Sequence, residues 1–139
     1  AIDPGVAVVS LACPLFVPLV ENGRFRPGDP VAELVAREYL TPLKEAGVDT
    51  LVLGCTHYPL LAEVIGAIMG PGVTLIDSGA ACADYAGAWL RERDLLARRD
   101  VGACRYFVSD STQDFARLAS IFLGQPVTDP VERVEIEQY

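Results

Sequence analysis

Apolar and polar positions fall into alternating blocks along this chain, and the blocks carry two different periods. Val6 to Ala12 is an unbroken apolar run rich in β-branched residues and ended by Cys13-Pro14, the pattern of a strand buried on both faces. Asp29-Pro30 supplies an N-cap and a first-turn proline. Val31, Leu34, Val35 and Leu43 follow at helical spacing until Gly47, with Pro42 expected to kink or shorten the helix. Thr50 to Leu53 predicts a second buried strand. Beyond it Pro59 fits the first turn of a helix whose Leu61, Val64, Ile65 and Ile68 form an apolar stripe, and Gly70-Pro71-Gly72 ends that helix.

Val73 to Ile76 reads as a third strand. Asp77-Ser78 then caps a helix with Ala81, Tyr85, Trp89 and Leu90 facing inward. Arg105 to Val108 is the fourth strand, and Ser109-Asp110-Ser111 caps a last helix that buries Phe115, Leu118, Ala119 and Phe122 and stops at Gly124. Val131 to Ile136 places Val134 and Ile136 on one face between charges, as an edge strand does. Asn22 to Asp29 is the one linker-like stretch. Strands alternating with helices predict an α/β fold with a mainly parallel sheet, helices on both faces, and a site beyond the carboxyl ends of the strands.

Composition narrows the function classes. Of 139 residues, 51% are hydrophobic and 22% charged, which suits a packed core rather than disorder. The formal net charge is -8, and Lys and Arg are scattered, so neither nucleic acid nor an anionic membrane is an expected partner. The apolar runs near the N-terminus are broken by Pro14 and Pro18 and followed by Glu21, far short of the ~20 apolar residues of a spanning helix. With no signal-peptide pattern in Ala1-Ile2-Asp3-Pro4, a cytoplasmic protein is expected. Cys13, Cys55, Cys82 and Cys104 are widely spaced, which predicts reduced thiols rather than disulfides.

The candidate chemistry sits where the second strand turns into a helix, at Gly54-Cys55-Thr56-His57. Backbone N–H groups and the positive end of a helix converge at such turns. A neighbouring imidazolium or a helix N-terminus favours the thiolate form of a cysteine, and Thr56 offers a hydroxyl and an N–H to a carboxylate. His57 is the chain's only histidine, the residue type that ordinarily titrates near neutrality. Cysteine is also among the most buried residue types, so packing stays an alternative explanation of a lone Cys-X-His. Zinc is not expected, because no second cysteine stands at Cys-x-x-Cys spacing.

The run from Leu51 to Leu61, through Gly54-Cys55-Thr56-His57-Tyr58-Pro59, resembles the C-terminal cysteine signature of glutamate racemases in the aspartate/glutamate racemase superfamily. Ala12 to Glu21 resembles the same family, and Leu75-Ile76-Asp77-Ser78-Gly79 resembles its return crossover. The likeness continues in order to Gly124. It implies two pseudo-symmetric α/β lobes with L- or D-glutamate between them and no cofactor: neither pyridoxal phosphate, metal nor nucleotide. One cysteine on each lobe then inverts the α-carbon, one thiolate removing a proton while the opposing thiol returns one. By the resemblance Cys55 is one of that pair, Thr56 helps to bind substrate, His57 assists Cys55, and Glu21 is the acidic residue near His57. Residues 1–76 would form one lobe lacking its opening strand and helix, and 77–139 the returning segment of the other. Cys13, Cys82 and Cys104 match no catalytic position and are assigned to packing, and Asp77-Ser78-Gly79 matches the crossover.

The resemblance implies an isomerase supplying D-glutamate to peptidoglycan, with only the C-terminal half of the pattern represented. The family's Asp-Ser-Gly and Cys-Asn-Thr segments, the latter carrying the opposing cysteine, have no counterpart here. The expectation is a chain inactive alone that associates with the missing N-terminal half or with a copy of itself. Two alternatives stay open: a non-catalytic, truncated interaction module, and a different thiol enzyme using Cys55 and His57.

Overall fold

A computed structural model describes residues 4–98 and 102–136. Within it the chain forms two compact units, Ala1–Ala88 and Trp89–Tyr139. Every buried hydrophobic residue among the described ones lies between Cys13 and Met69, so the core belongs to the first unit.

Its described part begins with a segment that is neither helix nor strand, followed by the short helix α1, Phe16–Glu21. The sequence pattern did not signal α1, because Pro18 lies inside it. Pro18 is the third helical residue, where a backbone N–H has no intrahelical acceptor to lose. Burial of Phe16, Leu19 and Val20 holds the helix in place. Helix α2, Pro30–Glu45, starts where Asp29 accepts hydrogen bonds from the N–H groups of Val31 and Ala32. It continues through Pro42 for three more residues, and Gly47 follows with a left-handed φ of 69°. Its inward stripe is Ala32, Ala36, Leu40 and Leu43 rather than the expected Val31 and Leu34, which are exposed. The two alanines allow close approach to neighbouring helices, and bulkier side chains at those positions would hold the helix away from the core.

Strand β1, Thr50–Leu53, has the predicted bounds but is not buried as predicted, since only Leu53 is buried and Val52 is exposed, and it leads through a 3-10 helix, Tyr58–Leu61, into α3, Ala62–Met69. Leu61, Val64 and Ile65 are buried, Ile68 packs partly against them, and Gly70 ends the helix at φ 93°. Lys44 in α2 donates from Nζ to the carbonyl of Ile68 at 2.8 Å, tying the two helices together at the surface. Strand β2, Thr74–Asp77, one residue later than the predicted strand, pairs in parallel with β1 in the register Thr50 to Thr74 through Leu53 to Asp77. Asp77 then caps α4, Ser78–Glu92, accepting from Gly79 N at 2.8 Å and Ala80 N at 3.2 Å.

Val6 to Ala12 is not a strand. No described strand pairs with it, and it is exposed, Val8 to 81%. A strand is defined by its ladder, and apolar β-branched sequence alone cannot supply a partner. The predicted inward face of α4 is also not buried: Tyr85 is 71% exposed and Trp89 carries Arg93 over its ring at 4.1 Å.

In the second unit β3, Tyr106–Val108, and β4, Val131–Arg133, pair in parallel, and Val134 N extends the contact to Val108 O at 2.8 Å. The last strand is shorter than predicted, leaving Ile136 exposed. Helix α5, Thr112–Leu123, is capped by Ser111, whose Oγ accepts from Asp114 N, and ends at Gly124 in the left-handed conformation. Phe115, Leu118 and Ala119 are only half-buried and Phe122 is exposed, so this amphipathic face lacks the full cover its pattern calls for. The class is therefore α/β with parallel pairs, as expected, and no described helix is long and apolar enough to cross a membrane.

Candidate active site

Beyond the carboxyl end of β1 the chain turns at Gly54 to Thr56, and the turn is closed by Tyr58 N donating to Cys55 O at 3.2 Å and Leu60 N to His57 O at 3.1 Å. The turn delivers three side chains to one place. His57 Nδ1 lies 3.2 Å from Thr56 Oγ1 and 3.9 Å from Cys55 Sγ. On the other side of the ring, Nε2 faces Glu21 Oε1 at 3.4 Å, and Glu21 is the last residue of α1. The four residues singled out from sequence are thus brought together, with the imidazole as the bridge.

The electrostatics follow from which ring nitrogen carries hydrogen. With a proton on Nε2, the ring donates toward Glu21, and Nδ1 is an acceptor for the Thr56 hydroxyl or the Cys55 thiol. With both nitrogens protonated, Nδ1–H donates to one of them and places positive charge beside Cys55. Thr56 makes the shorter contact and competes with the thiol. The helix-dipole contribution expected from sequence is weak. Four residues of 3-10 helix follow His57 and α3 begins only at Ala62, whereas the dipole effect fades within about a turn.

Tyr58, which sequence reasoning left without a role, fastens the site. Its hydroxyl donates to Cys13 O at 3.1 Å, and its ring meets Phe16 edge-on at 5.3 Å. Burial, followed by the thiols of Cys13 and Cys55, pushes the phenol above its ordinary value, so it remains a donor at neutral pH. An aromatic residue directly after Cys-X-His was the available signal. All four cysteines are free. Cys13 is buried, and burial pushes its thiol above the ordinary cysteine value. Cys82 and Cys104 are exposed, contrary to their assignment to packing. Cys82 lies on the uncovered helix α4, and Cys104 precedes β3. Among the described residues no group of three or more His, Cys, Asp or Glu is placed to hold a metal ion.

No family model matches the chain. Individual relatives do. A glutamate racemase of Geobacter metallireducens is 50% identical over 137 residues, 98% of this chain and 50% of the relative. One of Lactiplantibacillus plantarum is 47% identical over 89% of this chain and 45% of the relative. Among solved structures, glutamate racemase from Francisella tularensis in complex with D-glutamate superposes with a TM-score of 0.85 at 32% identity, covering 99% of this chain and 50% of that one. The enzyme from Thermus thermophilus, in complex with β-chloro-D-alanine, gives 0.81 at 42% identity over 93% and 48%. The chain spans about half the length of the relatives it matches. By sequence and by structure alike, it is similar over nearly all its length to about half of these glutamate racemases.

Proposed function

We propose that this chain provides the C-terminal part of a cytoplasmic, cofactor-independent glutamate racemase, serving the supply of D-glutamate for peptidoglycan, with Cys55 as one of two acid/base thiols. The observation that carries the reading is Cys55 and Glu21 meeting on one imidazole beyond a parallel strand, in a chain similar to glutamate racemases over nearly all its length. Inversion at an α-carbon needs a base on one face and an acid on the other. As thiolate, Cys55 takes the α-proton to form S–H, leaving the electron pair on the planar substrate carbanion. A thiol on the opposite face then gives that carbanion a proton and becomes a thiolate. In the reverse direction Cys55 donates. His57, oriented by Glu21, carries the charge that favours the Cys55 thiolate.

Thr56 is the substrate-binding residue in this reading. Its hydroxyl is held by His57 Nδ1 at 3.2 Å. Turning it toward a substrate carboxylate frees that nitrogen for Cys55, so substrate binding and thiol activation are linked through one atom. Residues 1–76 belong to one lobe and 77–139 to the other. The opposing thiol comes from the half of the fold that the chain does not span, so the chain alone is inactive.

A chimera joining the unmatched half of the Geobacter metallireducens relative to this chain tests the proposal. Exchange of the α-hydrogen of L-glutamate in D2O, followed by NMR, is expected from the chimera, to fall at least about 10³-fold in Cys55→Ser, and to be absent from the chain alone. Turnover by the chain alone at an ordinary enzymatic rate, roughly 1–10³ s⁻¹, or full activity of the Cys55→Ser chimera, would overturn it.

A further inference from the structure

Glu21 reaches His57 from the end of a very short helix. α1 has six residues and no side-chain cap at Leu15, well under the ~12–15 residues at which a helix begins to hold itself in water. Its place is therefore set from outside. At its start the carbonyl of Cys13 accepts two hydrogen bonds, from Phe16 N and from the Tyr58 hydroxyl, both at 3.1 Å. Leu15 N donates to the Tyr39 hydroxyl at 3.3 Å, and the Phe16 ring stands edge-on to both tyrosines at 5.3 Å. At the other end Glu21 Oε1 stands 3.4 Å from His57 Nε2. Tyr58 and His57 are consecutive, so one stretch of the turn beyond β1 meets α1 at both of its ends.

The contact at Glu21 is weak by itself. Its side chain is 42% exposed, water competes for the carboxylate, and a pair of this kind contributes little unless its partners are already in place. We infer that Tyr58 is a positioning residue: by holding the start of α1 against its own turn, it fixes Glu21 on His57 Nε2, and with it the tautomer that leaves Nδ1 as an acceptor beside Cys55. The bearing of this contact on catalysis rests on the function proposed above. The phenol does not act as an acid or base in this role, because its proton is given to a carbonyl and burial raises it above its ordinary value. Tyr39 grips the neighbouring residue from α2, and so ties α1 to that helix rather than to the imidazole. Among the described residues Tyr58 alone joins the start of α1 by a side-chain hydrogen bond to the turn that carries Cys55 and His57.

His57 is the chain's only histidine, so its two ring nitrogens give unambiguous signals in a nitrogen NMR spectrum of the full chain. At about pH 8.5, above the ordinary imidazole range, their shifts report which nitrogen carries the proton. Glu21→Gln measures the displacement caused by losing the carboxylate. Tyr58→Phe keeps the ring and removes the hydroxyl. It is expected to displace both signals in the same direction by at least about half as much, and to add less than about a third of that in a Glu21→Gln background, where no contact is left to position. Met69→Ala loosens the same core from the opposite end of α3 and should leave the signals in place. No displacement in Glu21→Gln or in Tyr58→Phe, an undiminished effect of Tyr58→Phe in the Glu21→Gln background, or the same displacement in Met69→Ala would each overturn the inference. Iodoacetamide labelling of Cys55 at neutral pH should slow about twofold or more in Tyr58→Phe. Displaced ring signals with a Cys55 rate indifferent to both Tyr58→Phe and His57→Asn would refute the route of charge to Cys55 and leave Tyr58 as the residue that sets the Glu21 contact. Undisplaced signals in Tyr58→Phe, with Cys55 slowed by His57→Asn, would refute the role of Tyr58 alone.

Discussion

Cys55 and Thr56 approach the same nitrogen of His57 while Glu21 holds the other, so in the proposed mechanism the histidine is the residue through which charge would reach the thiol. Accessibility alone ranks the cysteines differently: Cys82 and Cys104 are exposed, Cys55 is half-buried, and Cys13 is buried with its thiol pushed up. If shielding decided reactivity, iodoacetamide would label Cys82 and Cys104 first. With the imidazole beside it, Cys55 is expected to label at neutral pH at least as fast as the two exposed thiols, and His57→Asn to slow it about threefold or more while leaving Cys82 and Cys104 unchanged. Cys13 should lag the others, since burial both shields its thiol and keeps it protonated where an ordinary thiol begins to ionise. Mass-spectrometric mapping of labelling rates checks all four at once, and a Cys55 rate indifferent to His57→Asn would remove the histidine from the mechanism.

Among the elements, those whose sequence carries its own stop and start signals were legible. Asp29-Pro30 fixed the start of α2, Gly70 the end of α3, and Ser111 and Gly124 the two ends of α5. What sequence could not show was cover. The runs at Val6 to Ala12 and along α4 are apolar because they suit burial, but burial needs an opposing layer, and the described chain supplies none there. The site was legible for the complementary reason: Cys55, Thr56 and His57 are neighbours in one turn, and only Glu21 had to be placed by resemblance. Element α1, which carries Glu21, exists through packing. Phe16 is 1% exposed and its ring meets Tyr39 and Tyr58 edge-on, both at 5.3 Å. Phe16→Ala should cost ~3–5 kcal/mol in urea unfolding, a large share of the ~5–15 kcal/mol of a whole domain. A loss below about 1 kcal/mol would mean that α1 is not anchored by this ring.

At the scale of the molecule, the two units differ in what holds them. Among the described residues the first has thirteen buried hydrophobic residues, Cys13 just before α1 and the rest spread over α1, α2, β1, the 3-10 helix and α3, and the second has none. Among the described residues, backbone pairing in the second unit is the end of α4, two three-residue strands and α5, with Tyr106 and Phe115 in tilted contact at 5.6 Å. Local stability follows buried apolar contact, because backbone hydrogen bonds open to water wherever little packing opposes the opening. Caps such as Ser111 on α5 set where a helix begins, but each contributes only about 1 kcal/mol, too little to hold a helix whose apolar face is half-covered. The exchange of backbone amides in the isolated chain is therefore expected to divide by unit. Leu40, Leu43, Leu53 and Ile65 should exchange at least about tenfold more slowly than residues in the middle of α5, such as Leu118 and Ala119. Mild denaturant should release the second unit's amides first, while those of α2 and α3 open only with the whole first unit. If Leu118 and Ala119 proved as protected as Leu40 in the isolated chain, the distribution of buried side chains would not be what sets its stability, and cover for α5 would have to be sought in a contact beyond these elements.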